Sequence, residues 1–138
     1  MERTHEREDR ALDLSGVWDG VFSYERGRPP VSFTATLTET GAWLAGSTEE
    51  VATSGPGNGR KLRANLEGRR TGAEVTFFKT YEQLFAGYDS VQYEGRVNAG
   101  ATEIEGRWTI FGKAAGPFLM IRSGAAHAEA ERRAVAKV

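Results

Sequence analysis

The feature that most constrains this chain is a succession of short segments in which apolar and polar residues alternate, separated by turn residues. The segment 31–38 shows it most clearly, with Val31, Phe33 and Leu37 on one face and hydroxyl-bearing residues on the other. Alternation with period 2 is typical of a strand that buries one face. No interval between these segments is long enough for a crossover helix, so we expect an antiparallel all-β protein.

Eight such segments follow one another along the chain. They span residues 14–25, 31–38, 42–50, 61–69, 73–81, 91–97, 102–110 and 118–122. A meander of this kind hides its edges best by closing on itself. The sequence therefore predicts one eight-stranded antiparallel up-and-down β-barrel domain over residues 13–124. Residues 1–12 are expected to form a charged N-terminal tail, and the alanine-rich segment 125–138 a short C-terminal helix.

Composition excludes several classes of function. The 138 residues suit one domain, and 18 basic against 19 acidic side chains give a net charge of −1 without a block of like charge. We therefore expect no nucleic-acid or membrane partner. The chain has no cysteine, and His5 and His127 lie in the charged tails, so neither a metal centre nor a cofactor is expected. With no leader or bilayer-spanning stretch in the sequence, a cytoplasmic location is predicted.

A tripeptide, Glu-Gly-Arg, occurs three times, at residues 67–69, 94–96 and 105–107. Each copy has its glycine in phase with the apolar residues, while the charged residues face outward. We interpret the repeat as a property of barrel strands rather than as a binding site.

The lengths of the connections predict which end of the barrel is open. Connections after the second, fourth and sixth strands are short, at residues 39–41, 70–72 and 98–101. Those after the first, third, fifth and seventh are longer, at 26–30, 51–60, 82–90 and 111–117. Successive connections of a meander alternate between its two ends, so the long loops share one end, and chance is the weaker explanation. Long loops and barrel mouths are where ligands usually bind.

Lys79 is the most informative candidate residue because it is in phase with Phe77 and Tyr81, facing inward. Either it is buried, with Glu50 as counter-ion, or it lies at the rim with its ammonium in water. The candidate ligand-binding residues at this end are Tyr24, Phe33, Phe77, Lys79, Tyr81, Tyr93, Trp108 and Met120. If the protein is an enzyme, the candidate catalytic residues are Lys79, Tyr81 and Glu50. Leu84, Phe85 and Tyr88 are candidates for a lid.

Gly16-Val17-Trp18 on the first strand, with Arg122 inward on the last, resembles the signature of the calycin barrels (lipocalins, fatty-acid-binding proteins and avidins). The resemblance implies that Trp18 and Arg122 form a structural latch at the closed end. Single-domain size and glycine-x-aromatic strands look most like the avidin branch. However, Gly20 and Tyr24 stand where avidins have small amide and hydroxyl side chains, and Arg122 stands where they have an aspartate. We therefore predict no biotin binding.

The outer face carries an apolar seam where the first and last strands should meet, formed by Val17, Val21, Leu119 and Ile121. Such a stripe needs a cover. The C-terminal helix folding back is one solution and a homodimer interface is the other.

Three functions are compatible with these features. The first is a barrel that binds a partly apolar small molecule, whose polar head meets Lys79 and the tyrosines. The second is a cofactor-independent cyclase or isomerase acting on an apolar, polyketide-like substrate. The third is an interaction module that uses the outer seam. The sequence contains no nucleophile–base motif and no phosphate-binding loop, which disfavours hydrolases and kinases.

Overall fold

The computed structural model describes residues 13–53, 58–82 and 90–124. There, eight strands form a closed antiparallel barrel in which each strand pairs with its chain neighbours and the last pairs with the first. The strands are β1 (Gly16–Phe22), β2 (Val31–Thr40), β3 (Trp43–Val51), β4 (Lys61–Thr71), β5 (Glu74–Tyr81), β6 (Val91–Val97), β7 (Glu103–Ile110) and β8 (Ala114–Arg122). The predicted all-β architecture is confirmed. The predicted tail (1–12) and C-terminal helix (125–138) lie outside the described residues.

Alternating burial follows the sequence pattern around the whole barrel. In β2 the burial of successive residues alternates strictly from Val31 to Thr38. The largest fully buried side chains are Trp18, Trp108, Tyr93, Lys79, Leu14, Ile104, Met120, Val75 and Thr48. The interior is thus a packed core with polar side chains within it. In the described ranges no helix has the length and hydropathy required to span a bilayer.

The first strand is shorter than predicted, ending at Phe22 rather than near residue 25. Phe22 pairs with Val31, the first residue of β2. The residues before Val31 are Pro29 and Pro30, and proline has no N–H to continue the ladder. Tyr24 therefore lies beyond the strand, partly exposed.

The last strand begins four residues earlier than predicted, at Ala114. The predicted long loop 111–117 is instead a tight turn at 111–113, in which the Lys113 amide donates to the Ile110 carbonyl at 2.9 Å. Gly112 has φ +73°, which glycine adopts without strain. Three long connections therefore remain at the predicted mouth, at 23–30, 52–60 and 82–90.

Pro117 is accommodated inside β8 because β1 has already ended beside it. Its carbonyl accepts from the Ser23 amide at 3.0 Å, so its nitrogen also faces the end of β1. The Ser23 carbonyl accepts instead from Trp108 Nε1 at 2.8 Å. A Cβ on Gly116 would lie 1.8 Å from that carbonyl oxygen, so this contact requires glycine. Gly116 and Pro117 have the sequence pattern of a loop, but these tertiary contacts make both residues part of strand β8.

Trp18 and Arg122, the pair predicted to form a latch, are in contact at the end of the barrel opposite Lys79, and we call this pair the latch. The Arg122 guanidinium lies over the Trp18 ring, 4.6 Å from its centroid. It also donates to the carbonyls of Ala101 (3.0 Å), Ser15 (2.8 Å) and Asp13 (2.5 Å). One side chain thereby joins β8, the segment before β1 and the turn before β7. Trp18 itself is fully buried.

The outer seam is partly exposed. Val17 is 46% exposed, whereas Val21, Leu119 and Ile121 are partly buried. The segment 125–138, one of the two predicted covers, lies outside the described ranges. The helix and the second copy of the chain both stay predictions.

Gly106 is predicted to be intolerant of substitution. A Cβ there would lie 1.9 Å from the Glu94 carbonyl oxygen and 2.5 Å from Gly95 Cα, both backbone atoms that cannot move aside. Gly106→Ala should lower the free energy of unfolding by about 1–3 kcal/mol, the usual cost of overpacking. Gly100→Ala is the matched control because the atoms nearest its Cβ would be 3.9 Å away. Urea denaturation measures both, and an equal, small effect would contradict the close-approach explanation.

Candidate functional site

Three inward-facing polar side chains, Lys79, Glu50 and Tyr81, meet toward the end of the barrel that was predicted to be the mouth. Alternation along β5 buries Val75, Phe77 and Lys79 on one face. Lys79 Nζ donates to Glu50 Oε1 at 2.6 Å, and the two side chains are 1% and 4% exposed. Of the two interpretations of Lys79, the structure has the buried, paired one.

Tyr81 joins the same carboxylate. Its hydroxyl donates to Glu50 Oε1 at 2.7 Å, so a single oxygen accepts from both Lys79 and Tyr81. Within the described residues, no donor forms a hydrogen bond with the other carboxylate oxygen, Oε2. An ionised carboxylate can accept about four hydrogen bonds and an ammonium can donate three. In the described part of the chain, both groups therefore have unused hydrogen-bonding capacity.

Four aromatic rings surround the Lys79 ammonium. The distances from Nζ to the ring centroids are 5.0 Å for Phe22, 4.9 Å for Phe33, 4.9 Å for Tyr81 and 5.8 Å for Tyr93. We call these residues the aromatic cage. Their rings come from β1, β2, β5 and β6, which closure of the barrel brings around one point. Ring faces attract a cation, more strongly where water is excluded.

Burial lowers the pKa of Lys79 from its ordinary value of 10.5, and the neighbouring Glu50 carboxylate acts in the opposite direction. Desolvation is the larger of these effects. The amine is thus easier to deprotonate than that of a surface lysine.

Thr48 adds an unsatisfied polar group to the same wall. Its side chain is buried, and Oγ1 is the one buried side-chain oxygen or nitrogen in the described residues that lacks a hydrogen-bond partner. Thr48 lies between Ala35 and Ala64 in the strand register, and Ala64 in turn pairs with Tyr81. A buried hydroxyl without a partner costs about 1–3 kcal/mol.

The other predicted ligand-binding residues are packed on one another. Phe77 and Tyr93 stack with centroids 4.9 Å apart and planes 10° apart, and Phe118 meets Tyr93 edge-on. Met120 is fully buried. The Trp108 indole N–H donates to the Ser23 carbonyl, so the rest of its ring offers only apolar contacts.

Tyr24 lies just beyond the end of β1, edge-on to Trp108, with the Arg28 guanidinium 4.9 Å from its ring centroid. The candidate lid residues Leu84, Phe85 and Tyr88 lie outside the described residues. An open depression of about 550 Å³ lies on the outer face of β1 to β3, where outward-facing residues such as Asp19, Thr34 and Glu49 line it together with Phe33 and Glu50. A larger one, of about 720 Å³, lies across β5 to β8 and does not include Lys79.

Two site residues were not among the candidates, namely Phe22 and Thr48. Phe22 is in phase with Trp18 and Gly20, so period 2 alone places it inward. Its proximity to Lys79 across the barrel depends on how far the strands are staggered, which the sequence pattern does not report. Thr48 is in phase with Glu50, so period 2 places it inward as well, but the pattern does not show that its hydroxyl lacks a partner, because an inward threonine in a strand usually finds one.

No protein-family model and no curated protein matches this sequence. The eight-stranded antiparallel barrel is compatible with a calycin-like fold. Within the described ranges, no group of three or more metal-ligating side chains converges.

Proposed function

We propose that this barrel binds a partly apolar small molecule whose polar head meets Lys79, Glu50 and Tyr81. The proposal rests on the burial of an ammonium and a carboxylate as a pair, with the ammonium inside the aromatic cage. Burying both ions is costly, and apolar residues of similar volume would often stabilise a core better. A ligand that binds to the unused hydrogen-bond donors and acceptors of Lys79 and Glu50 would explain why the chain has a buried ion pair here rather than apolar residues. An eight-stranded barrel has room for either side chains or one small ligand.

The charges of the site favour a neutral head group. Lys79 and Glu50 compensate each other at 2.6 Å, so the pair carries no net charge. A ligand with a carboxylate or an ammonium would add one uncompensated charge to a buried site, at considerable cost. A carbonyl or hydroxyl would instead accept from the spare N–H bonds of Lys79 without changing the total. The ligand class supported best is therefore a neutral, oxygen-bearing apolar compound.

Thr48 and its neighbours support a position for this ligand. Ala35 and Ala64 flank Thr48 on β2 and β4, so this part of the wall carries little side-chain volume. A ligand oxygen bound by Thr48 Oγ1 would satisfy the hydroxyl that lacks a partner.

We further propose that the chain is a calycin-like barrel. Support comes from the contact between Trp18 of β1 and Arg122 of β8 at the closed end. The absence of avidin-type polar residues at Gly20 and Tyr24 supports a ligand other than biotin.

Three probes of equal chain length test the preference for a neutral head: heptan-2-one, heptanoate and heptylamine. Ligand-detected NMR at pH 7 should give a Kd for heptan-2-one at least about tenfold below those of the two ions, since each 1.4 kcal/mol is a factor of ten. Lys79→Met should raise the Kd of heptan-2-one by about 10- to 100-fold, the range for a hydrogen bond to a charged group. Lys113→Met, on the exposed turn 111–113, is the matched control and should leave it unchanged.

Glu50 is left without its partner in Lys79→Met, so the double variant Glu50→Gln/Lys79→Met accompanies it and should bind as weakly. Equal affinities for the three probes, or unchanged binding of heptan-2-one by both folded variants, would contradict the proposal.

A further inference from the structure

Lys79 is a primary amine whose surroundings differ from those of the other described lysines. Lys61 and Lys113 are exposed, whereas Lys79 is 1% exposed, with Glu50 as its hydrogen-bond partner. Burial lowers its pKa, so a larger fraction of the amine is free at neutral pH than on the surface. A free amine in an apolar pocket, beside a carboxylate that can accept its proton, is the arrangement that activates lysine as a nucleophile.

We propose that Lys79 captures the aldehyde or ketone group of its ligand as a protonated imine, with Glu50 as proton acceptor, proton donor and final counter-ion. This inference rests on the proposed function and deepens it. It restricts the class of neutral ligand to apolar aldehydes and ketones, and the bond to Lys79 is then covalent and reversible.

The capture step balances with the groups present. The Lys79 ammonium gives a proton to Glu50, and the amine lone pair attacks the carbonyl carbon. A C–N bond forms, and the carbonyl π electrons move to the oxygen, which takes the proton back from Glu50. The nitrogen then gives its second proton to Glu50, which passes it to the hydroxyl. The C–O bond breaks, water leaves, and the nitrogen lone pair forms the C=N bond. No oxidant or reductant is needed.

The geometry suits both the starting state and the product. Before capture, one positive nitrogen lies 2.6 Å from one carboxylate oxygen, and after capture a protonated imine nitrogen takes its place. The charge of the site is therefore the same in both states, and no new ion has to be buried. Tyr81 also donates to Glu50 Oε1, which holds the carboxylate in position while protons move.

The aromatic cage has two effects on the product. Ring faces 4.9–5.8 Å from Lys79 Nζ stabilise a cation there, and a protonated imine is also a cation. The same rings exclude the water that would hydrolyse the C=N bond.

Reductive trapping tests the inference. The full chain is incubated at pH 7 with benzaldehyde, a compact apolar aldehyde, and sodium cyanoborohydride, and the sites of benzylation are located by peptide mass spectrometry. We expect Lys79 to be benzylated at least tenfold faster than Lys61, Lys113 and Lys137. Folded Glu50→Gln has a lower Lys79 pKa but lacks the group that carries protons to and from the carbonyl oxygen, so the reaction at Lys79 should slow by at least tenfold while the other lysines react as before. Glu49→Gln, on the neighbouring exposed carboxylate, should have no effect on any of them.

Ligand-detected NMR with benzyl alcohol, which cannot form an imine, separates this inference from the proposed function. If benzyl alcohol binds and Lys79 is benzylated no faster than the exposed lysines, the imine inference is overturned and the binding proposal stands. If neither benzyl alcohol binds nor Lys79 reacts, both are overturned. Rapid benzylation of Lys79 that benzyl alcohol slows supports both.

Discussion

Replacing Glu50 by glutamine is expected to lower the free energy of unfolding by about 3–5 kcal/mol at pH 7, the usual cost of breaking a buried ion pair. Glutamine has nearly the same shape and still accepts from Tyr81, so the loss comes from leaving the Lys79 ammonium without a counter-ion. Urea denaturation followed by circular dichroism measures the change.

The controls separate buried charge from other effects. Glu49→Gln removes the adjacent carboxylate, which lies 3.7 Å from Arg63 on the surface, and should cost at most about 1 kcal/mol. The Glu50→Gln/Lys79→Met double variant should recover most of the stability lost in Glu50→Gln, because no unpaired ion is left inside. Equal losses in Glu50→Gln and Glu49→Gln would contradict the buried pair.

The Glu50→Gln variant should become more stable as the pH rises. Without Glu50, the effect that raises the pKa of Lys79 is gone and burial alone acts on it, so the pKa falls further below 10.5. Between that lowered pKa and 10.5 the unfolded chain binds more protons than the folded one, and stability therefore increases with pH. Below this pH range the variant carries the full cost of burying the Lys79 ammonium. Within the range, the free energy of unfolding rises by about 1.4 kcal/mol per pH unit. A stability difference between Glu50→Gln and the double variant that stays constant from pH 6 to 10 would contradict this.

Trp18→Ala should lower the free energy of unfolding by about 3–5 kcal/mol, as large-to-small changes at buried aromatic sites do. Trp18 is fully buried, its indole N–H donates to the Leu14 carbonyl at 2.9 Å, and Arg122 lies over its ring. Trp43→Ala removes the same side chain where it is 65% exposed, and should change stability by no more than about 0.5 kcal/mol.

Arg122→Met separates the two parts of the latch. It keeps an apolar stem against Trp18 but loses the hydrogen bonds to the carbonyls of Asp13, Ser15 and Ala101. It should therefore be destabilising without abolishing the fold. Thermal unfolding compares these variants, and a Trp18→Ala loss no larger than that of Trp43→Ala would show that the latch does not hold the closed end.

Much of the fold could be predicted because alternation fixes which face of each strand is buried. The strand β6 has the predicted bounds, and Lys79 faces inward because its phase with Phe77 leaves no other choice. Predictions were wrong where a tertiary contact overrides a local signal. Gly116 and Pro117 have the pattern of a loop, but the end of β1 and the Trp108 indole make them part of β8.

The candidate site could be predicted in part. The phase of β3 and β5 put Glu50 and Lys79 on the inner wall at the same end, and the structure brings them within hydrogen-bonding distance. The sequence could not show that Phe22, on the opposite side of the barrel, would reach the same ammonium. That distance depends on strand tilt and stagger, which come from closure as a whole and not from any one segment.

Native mass spectrometry of the protein purified from its source, in wild-type and Lys79→Met forms, tests most directly whether the Lys79–Glu50–Tyr81 site holds a ligand. We expect the folded wild-type chain to retain a small apolar molecule of one defined mass, and folded Lys79→Met to have lost it. A folded wild-type chain found only at the mass of the polypeptide, or the same molecule retained equally by both forms, would show that Lys79, Glu50 and Tyr81 do not hold the ligand.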